Sequence, residues 1–306
     1  MGRVLFVACT NVGKGMIEEI MNNENITKTE IVGVVNINPV LGVSKANYFD
    51  YIDVTSKYNI PLFYCNNIND PECIEWIRDK NPDLIIQTGW SQYFKSEILS
   101  LPKYGCIGEH PAPLPRGRGA ACVNWAIITG EKEWGDTFFQ MVAKYDEGKM
   151  YAQGFFKIEE YDNVKTIYDK VAATSRKIIA KHIDDWSNGI LNGVTQNDEN
   201  ATNYHRRTPD MGQFDFSVMP ALECHNFVRG QTHPYPGAFI LHDGKKLTIL
   251  ASKFINLKSN SEPGSILKND ENDGSVDFVC SDRKILRVFR VETDRAMECW
   301  ASDYFK

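Results

Sequence analysis

Short apolar, β-branched runs alternate along the first third of the chain with stretches in which apolar residues recur every three or four positions. The runs at 3–9, 30–36, 61–64, 83–87 and 105–109 predict buried strands, since an unbroken apolar run leaves no exposed face. The stretches at 16–21, 48–58, 71–80 and 95–100 predict helices, with Cys73, Ile74 and Ile77 on one face of the third. Strands alternating with helices predict an α/β fold, a Rossmann-like and mostly parallel sheet with helices on both faces. Ligands of such sheets bind beyond the carboxyl ends of the strands.

After residue 109 the pattern breaks. Pro111, Pro113, Pro115, Gly117 and Gly119 follow His110 closely. Proline lacks the amide donor and glycine weakens regular structure, so the segment is expected to be a rigid loop, neither helix nor central strand. Loops held by a scaffold are where reactive groups sit, and His110 opens this one. Farther on, the pattern predicts a helix over 120–129, a hairpin over 136–144 and 154–158, and a long helix over 163–186. The lysines and arginines of that last helix read as a solvated face. An Asn-, Gly- and Thr-rich linker is expected at 186–204, without a single Lys or Arg. A helix over 221–229 and short strands at 238–241, 246–253, 264–267, 276–280 and 284–290 then predict a small β-barrel. Two domains follow, 1–203 and 204–306.

The 306 residues are 42% hydrophobic and 24% charged, the composition of an ordinary globular chain. The net charge of -6 and pI of about 5.6 argue against broad nucleic-acid binding, which needs clustered Lys and Arg; a local phosphate pocket stays open. Eight cysteines without a CxxC pair predict free thiols in a reducing compartment, hence a cytoplasmic protein with no metal site. The N-terminal apolar run is too short for a secretory signal, and nothing long enough to span a membrane follows.

Asn11-Val-Gly-Lys-Gly15 follows the first strand but is neither GxGxxG nor a P-loop, and reads as a plain turn. Asp146, in Tyr145-Asp-Glu-Gly-Lys149, follows a strand. By itself it reads as a turn residue, but one helix and one strand separate it from His110, a path that can return the chain to the same sheet edge. An Asp beside a His fixes its tautomer and supports its charged form.

The run from Gly105 to Ala121, with His110, Leu114-Pro115 and Arg118-Gly119, resembles the signature of folate-dependent N-formyltransferases. Residues 137–150 resemble that family's second signature, which carries an Asp before a glycine. His205-Arg-Arg-Thr-Pro-Asp, His225-Asn-Phe-Val-Arg-Gly and Pro234-Tyr-Pro-Gly-Ala-Phe resemble the small C-terminal domain shared by methionyl-tRNA and lipid A aminoarabinose formyltransferases. The resemblance covers nearly the whole chain.

It implies an OB-like second domain, 10-formyltetrahydrofolate as donor and an amine as acceptor. It also implies His110 and Asp146 as catalytic residues, with Trp90, Gln92, Gly108, Leu114 and Asp146 at the folate. Asn124, Arg206, Arg207 and Tyr235 are implied at the acceptor, the arginines either on a diphosphate or docking the small domain. One position departs from the family, whose Asn two residues before the histidine is Gly108 here. Gln87, Gln92, Asn124 or a backbone amide could take its place.

Residues 36–50 hold only Lys45 and the linker holds no cation, which favours a nucleotide-linked deoxyamino sugar of surface-glycan synthesis over tRNA. The expected partners are therefore small molecules, with a homodimer allowed and neither nucleic acid nor membrane expected. The alternatives are a methionyl-tRNA formyltransferase, a formate-releasing hydrolase, and a non-catalytic folate- or nucleotide-binding relative.

Overall fold

A computed structural model describes all 306 residues. They divide into two compact units. The first comprises 1–122, 133–157 and 168–204; the second comprises 123–132, 158–167 and 205–306.

The first unit is built on strands β1 (Gly2–Ala8), β2 (Thr29–Ile37), β3 (Leu62–Cys65), β4 (Leu84–Thr88), β5 (Cys106–His110), β7 (Glu133–Gln140) and β8 (Met150–Lys157). They form one sheet in the order β3-β2-β1-β4-β5-β7-β8. The first five are parallel, while β7 runs antiparallel to β5 and β8 antiparallel to β7. The connecting helices are α1 (Asn11–Asn22), α2 (Pro39–Gly42), α3 (Ile52–Tyr58), α4 (Pro71–Lys80) and α5 (Ser96–Ser100); α6 (Cys122–Ile128) belongs from Val123 on to the second unit, and α7 (Val164–Trp186), after β8, belongs to the first from Tyr168 on. The Rossmann-like expectation holds. Leu5, Phe6 and Val7 of β1 are fully buried, each contributing about 1.5–3 kcal/mol of hydrophobic stabilisation. The strand order reverses between β1 and β4, and at such a switch point a crevice opens beyond the strand ends.

Three local expectations change. His110 is the last residue of β5 rather than the first of the loop, because it stays in register with Thr137 of β7. The loop also holds a two-residue strand, β6 (Arg118–Gly119), paired with β9 (Asn203–Tyr204). The segment expected to be a linker is thus fastened to the first unit, and Val194 also exchanges backbone hydrogen bonds with Met150. Finally, β7 stops at Gln140. Gly148 packs so closely on the Gln140 carbonyl that a Cβ there would lie 1.8 Å from its oxygen, so the chain turns back over 141–149 in a tight loop.

The second unit holds α8 (Ala221–Arg229), strands β10 (Ala238–His242), β11 (Lys245–Ile255), β12 (Ile266–Asp270), β13 (Ser275–Val279), β14 (Ile285–Thr293) and β15 (Glu298–Trp300), and the terminal α9 (Ala301–Tyr304). The sheet is antiparallel and OB-like, in the order β10-β11-β14-β13-β12, with β15 on β14. Bulges near Ala251 bend its longest strand. Its core gathers Phe216, Val228, Leu247, Phe278 and Leu286. No helix of the protein is long and apolar enough to cross a membrane.

Candidate active site

The carboxyl ends of β4 and β5 carry Gln87, Thr88, Glu109 and His110. Side chains alternate across a strand, and the registers Gln87↔Gly108 and Gly108↔Phe139 place these three on one face with His110. The ring of Phe139 meets that of His110 edge-on at 6.4 Å. Thr88, Glu109 and Asp136 fall on the opposite face, toward α7.

His110 is 8% exposed. Its Nε2 lies 2.7 Å from the Gly117 carbonyl, and its Nδ1 lies 3.9 Å from Asp146 Oδ1. Nε2–H donates to the carbonyl, which turns Nδ1 toward the carboxylate. Burial of the ring opposes its charge, whereas the Cys122 sulfur, the Asp146 carboxylate and the Gly117 carbonyl favour it; the net is a pKa pushed up to about 10. The imidazolium therefore persists at neutral pH. At 3.9 Å the His110–Asp146 pair is an ion pair rather than a direct hydrogen bond, and the Cys122 thiol is a further hydrogen-bonding neighbour of the ring.

The loop after His110 is fixed by its polar partners. Trp134 Nε1 donates to the Pro111 carbonyl, Thr137 Oγ1 to that of Ala112, and Gln153 Nε2 to that of Leu114. Asp146 stands on the tight turn that Gly148 closes. It adopts a left-handed φ of 56°, which an Asp tolerates better than most residues. Its Oδ2 accepts from the Gly119 amide at 2.8 Å. Gln196 Nε2 donates to the carbonyls of Asp146 and Gly148, and Gln196 Oε1 accepts from the guanidinium of buried Arg118. Sequence reading missed Gln196, which lies in the expected linker without any periodic pattern. It also missed that Arg118 holds the Asp146 loop from below.

Behind the strand sits a second pair that sequence reading missed. Thr88 Oγ1 donates to Glu109 Oε2, and Ser175 Oγ to Asp136 Oδ2. Glu109 Oε1 and Asp136 Oδ1 have no other partner and face each other, so a shared proton satisfies both. Burial raises both acids, and for Asp136 the neighbouring Glu109 charge raises it further. The folded state thus holds more protons than the unfolded one above the ordinary carboxyl range. Stability from this pair is full at acid pH and is lost as pH rises. Asp136→Asn keeps an acceptor for Ser175 and gives Glu109 a permanent donor. The variant is expected to melt within about 1 °C of the parent at pH 5 and about 3 °C above it at pH 8, by thermal unfolding. Parallel curves of melting temperature against pH would refute the shared proton.

The other residues implied at the donor divide. Trp90 lines a pocket with Gln87, Phe139, Met141, Tyr145 and Asp146. Gln92 lines it as well, but its carboxamide is spent on the Ile68 amide and the Asn66 carbonyl. Leu114 is buried and its amide donates to Thr137 Oγ1.

The acceptor residues all belong to the second unit. Asn124 Nδ2 donates to the Gly230 carbonyl, while its buried Oδ1 has no hydrogen-bond partner. Arg207 is half-buried over the Trp125 ring at 4.6 Å and donates to Met211 O and Gln231 Oε1. Arg206 is exposed. The Tyr235 amide donates to the Thr232 carbonyl.

A protonated histidine, a nearby carboxylate and an apolar pocket suit acyl transfer to an amine. Residues 4–183 match the Formyl transferase family and residues 206–306 its C-terminal domain. The chain belongs to the formyl transferase family. It is a formyltransferase, with 10-formyltetrahydrofolate as the formyl donor.

Among its relatives is a methionyl-tRNA formyltransferase of Caldanaerobacter subterraneus subsp. tengcongensis, 37% identical over 77% of this chain and 74% of the relative. The bifunctional polymyxin resistance protein ArnA of Wigglesworthia glossinidia brevipalpis is 35% identical over 69% of this chain, which spans only 32% of that longer protein. The fold is shared with WlaRD, described as a sugar 3N-formyl transferase crystallised in the presence of dTDP and 5-N-formyl-THF. The TM-score is 0.69 at 16% identity, over 94% of this chain and 97% of that one. The same fold makes up 47% of the longer HypX of Aquifex aeolicus, with a TM-score of 0.69.

The pocket residues fit a folate ring chemically. It is walled by aromatic and apolar side chains, and the buried Trp90 Nε1–H has no protein acceptor, so a ring nitrogen or oxygen would satisfy it.

Proposed function

We propose that this formyltransferase acts on the primary amine of a nucleotide-linked deoxyamino sugar, in surface-glycan synthesis. The observation that carries the reading is charge. A tRNA ligand needs clustered cations. Residues 36–50 offer only Lys45, whose ammonium is hydrogen-bonded to Ser91, and residues 186–204 offer none. Asn124, Arg206, Arg207 and Tyr235 are proposed for the acceptor, with exposed Arg206 the arginine free to pair with a diphosphate. In this reading 1–203 carries the donor and the chemistry, and 204–306 contributes to the acceptor. The eight unpaired thiols fit a reducing cytoplasm.

His110 and Asp146 are proposed to carry the reaction. The acceptor nitrogen bonds to the formyl carbon, and the bond from that carbon to the donor nitrogen breaks. His110 Nδ1–H donates to the formyl oxygen while it bears charge. Asp146 takes the proton that the amine loses, and the departing nitrogen recovers one. No electrons leave or enter. Trp90, Gln92, Gly108 and Leu114 border the donor.

The test is a formyl-transfer assay across a panel of nucleotide amino sugars, with charged initiator tRNA as comparison. A kcat/KM at least about 10²-fold higher for one sugar is expected, the gap that a site built for one acceptor's polar groups maintains. The reverse order would establish methionyl-tRNA as the acceptor, a second reading favoured by the relative of 37% identity.

A further inference from the structure

Position 108 has no side chain, yet the space beside it is filled. A Cβ there would lie 2.8 Å from the Phe139 ring on one side and 3.2 Å from Gln87 Oε1 on the other. A side chain at 108 would have to displace the Phe139 ring, and the Gln87 carboxamide reaches the same spot from the neighbouring strand, its oxygen beside position 108 and its nitrogen turned toward Trp90.

Gln87 is an anomaly in its own strand. Leu84, Ile85 and Ile86 are fully buried, as the central strand of a parallel sheet requires. Gln87 is only 8% exposed, and a buried carboxamide is costly unless its groups are bonded. Only one protein hydrogen bond is formed, from Nε2 to the Trp90 carbonyl at 3.1 Å. An amide nitrogen carries two hydrogens, so one N–H is left over. The side chain lines the pocket together with Trp90, Phe139 and Asp146, on the sheet face that also carries His110.

We propose that the spare N–H of Gln87 is the neutral donor to the formyl oxygen, a catalytic contact supplied from β4 because β5 cannot supply it through Gly108. The rival carboxamides are placed differently. Gln92 is only partly buried and is pinned through both Oε1 and Nε2 to the backbone of 66–68, away from the Gln87–Gly108 register, and Asn124 belongs to the second unit. Gln87 neither gives nor takes a proton. It strengthens its hydrogen bond as charge grows on the oxygen, while His110 supplies the charged partner. This inference rests on formyl transfer itself and not on the identity of the acceptor.

The test uses Gln87→Leu and the isosteric Gln87→Glu in two measurements. The first is turnover with whichever acceptor the parent enzyme uses. Loss of one such donor lowers kcat about 10²-fold, and KM for the donor is expected to stay within about threefold. The second needs no acceptor. It compares binding of the stable analogue 10-formyl-5,8-dideazafolate with binding of its deformylated form. The parent is expected to favour the formylated form about fivefold to tenfold, the yield of one hydrogen bond, and Gln87→Leu is expected to erase the preference with the deformylated affinity unchanged. Equal binding of both forms by the parent would overturn the proposal, as would kcat within threefold of the parent in both variants. A preference lost in the variant, with no sugar formylated by the parent, would leave this contact standing and remove only the acceptor reading.

Discussion

His110→Ala lowers kcat by about 10³-fold or more and leaves the fold in place. The imidazole has two tasks in the proposed chemistry. It donates from Nδ1 to the oxygen that gains charge, and its own charge stabilises that oxygen in a site from which water is largely excluded. Alanine removes both. The structural cost is one hydrogen bond to the Gly117 carbonyl and a small cavity, about 1–3 kcal/mol. That amounts to a fall in melting temperature of several degrees, because the loop keeps its bonds to Trp134, Thr137 and Gln153. Turnover measured beside circular dichroism separates the two effects. Near-normal kcat in a folded variant would remove His110 from the mechanism.

The second large effect is expected at Asp146. Asn fits its left-handed φ, and its side-chain oxygen can still accept from the Gly119 amide, so Asp146→Asn keeps the loop in position. What is lost is the negative charge and the capacity to take a proton. A drop in kcat of about 10²-fold, with little change in either KM, is expected.

The same variant carries a second readout. A histidine whose folded pKa is raised keeps its proton, and the stability tied to it, below its ordinary value of 6.5 and loses both as pH climbs through about 10. Without the carboxylate the proton leaves at lower pH. An NMR titration of the His110 ring is therefore expected to show a midpoint near 10 in the parent and a clearly lower one in Asp146→Asn. Equal midpoints would show that Asp146 does not hold the imidazolium.

Much of the first unit is legible in the amino-acid pattern, because each parallel strand buried on both faces is written as an apolar run. The turn at Asp146 is legible too, for a residue that must adopt φ of 56° before a glycine packed on a carbonyl leaves few choices of side chain. The linker misled. Residues 186–204 have no period because they form no regular element, yet Gln196 bridges Arg118 to the Asp146 loop and Asn203–Tyr204 pairs with Arg118–Gly119. A strap of this kind is held by partners far away in sequence, and local pattern carries no trace of them.

The chain's order of residues by itself determined the Rossmann-like sheet, a second unit of short strands, a histidine directly after the fifth apolar run and the formyltransferase signature. These follow from local periodicity and motif spacing. Only the tertiary structure decided what surrounds the histidine. It turned Nδ1 toward Asp146, hid a proton-sharing Glu109–Asp136 pair behind the strand, and filled the space beside Gly108 with Phe139 and Gln87. The reason is register. Which residues of β4, β5 and β7 stand side by side is fixed by hydrogen bonds between strands, and those pairings join positions that the sequence keeps apart.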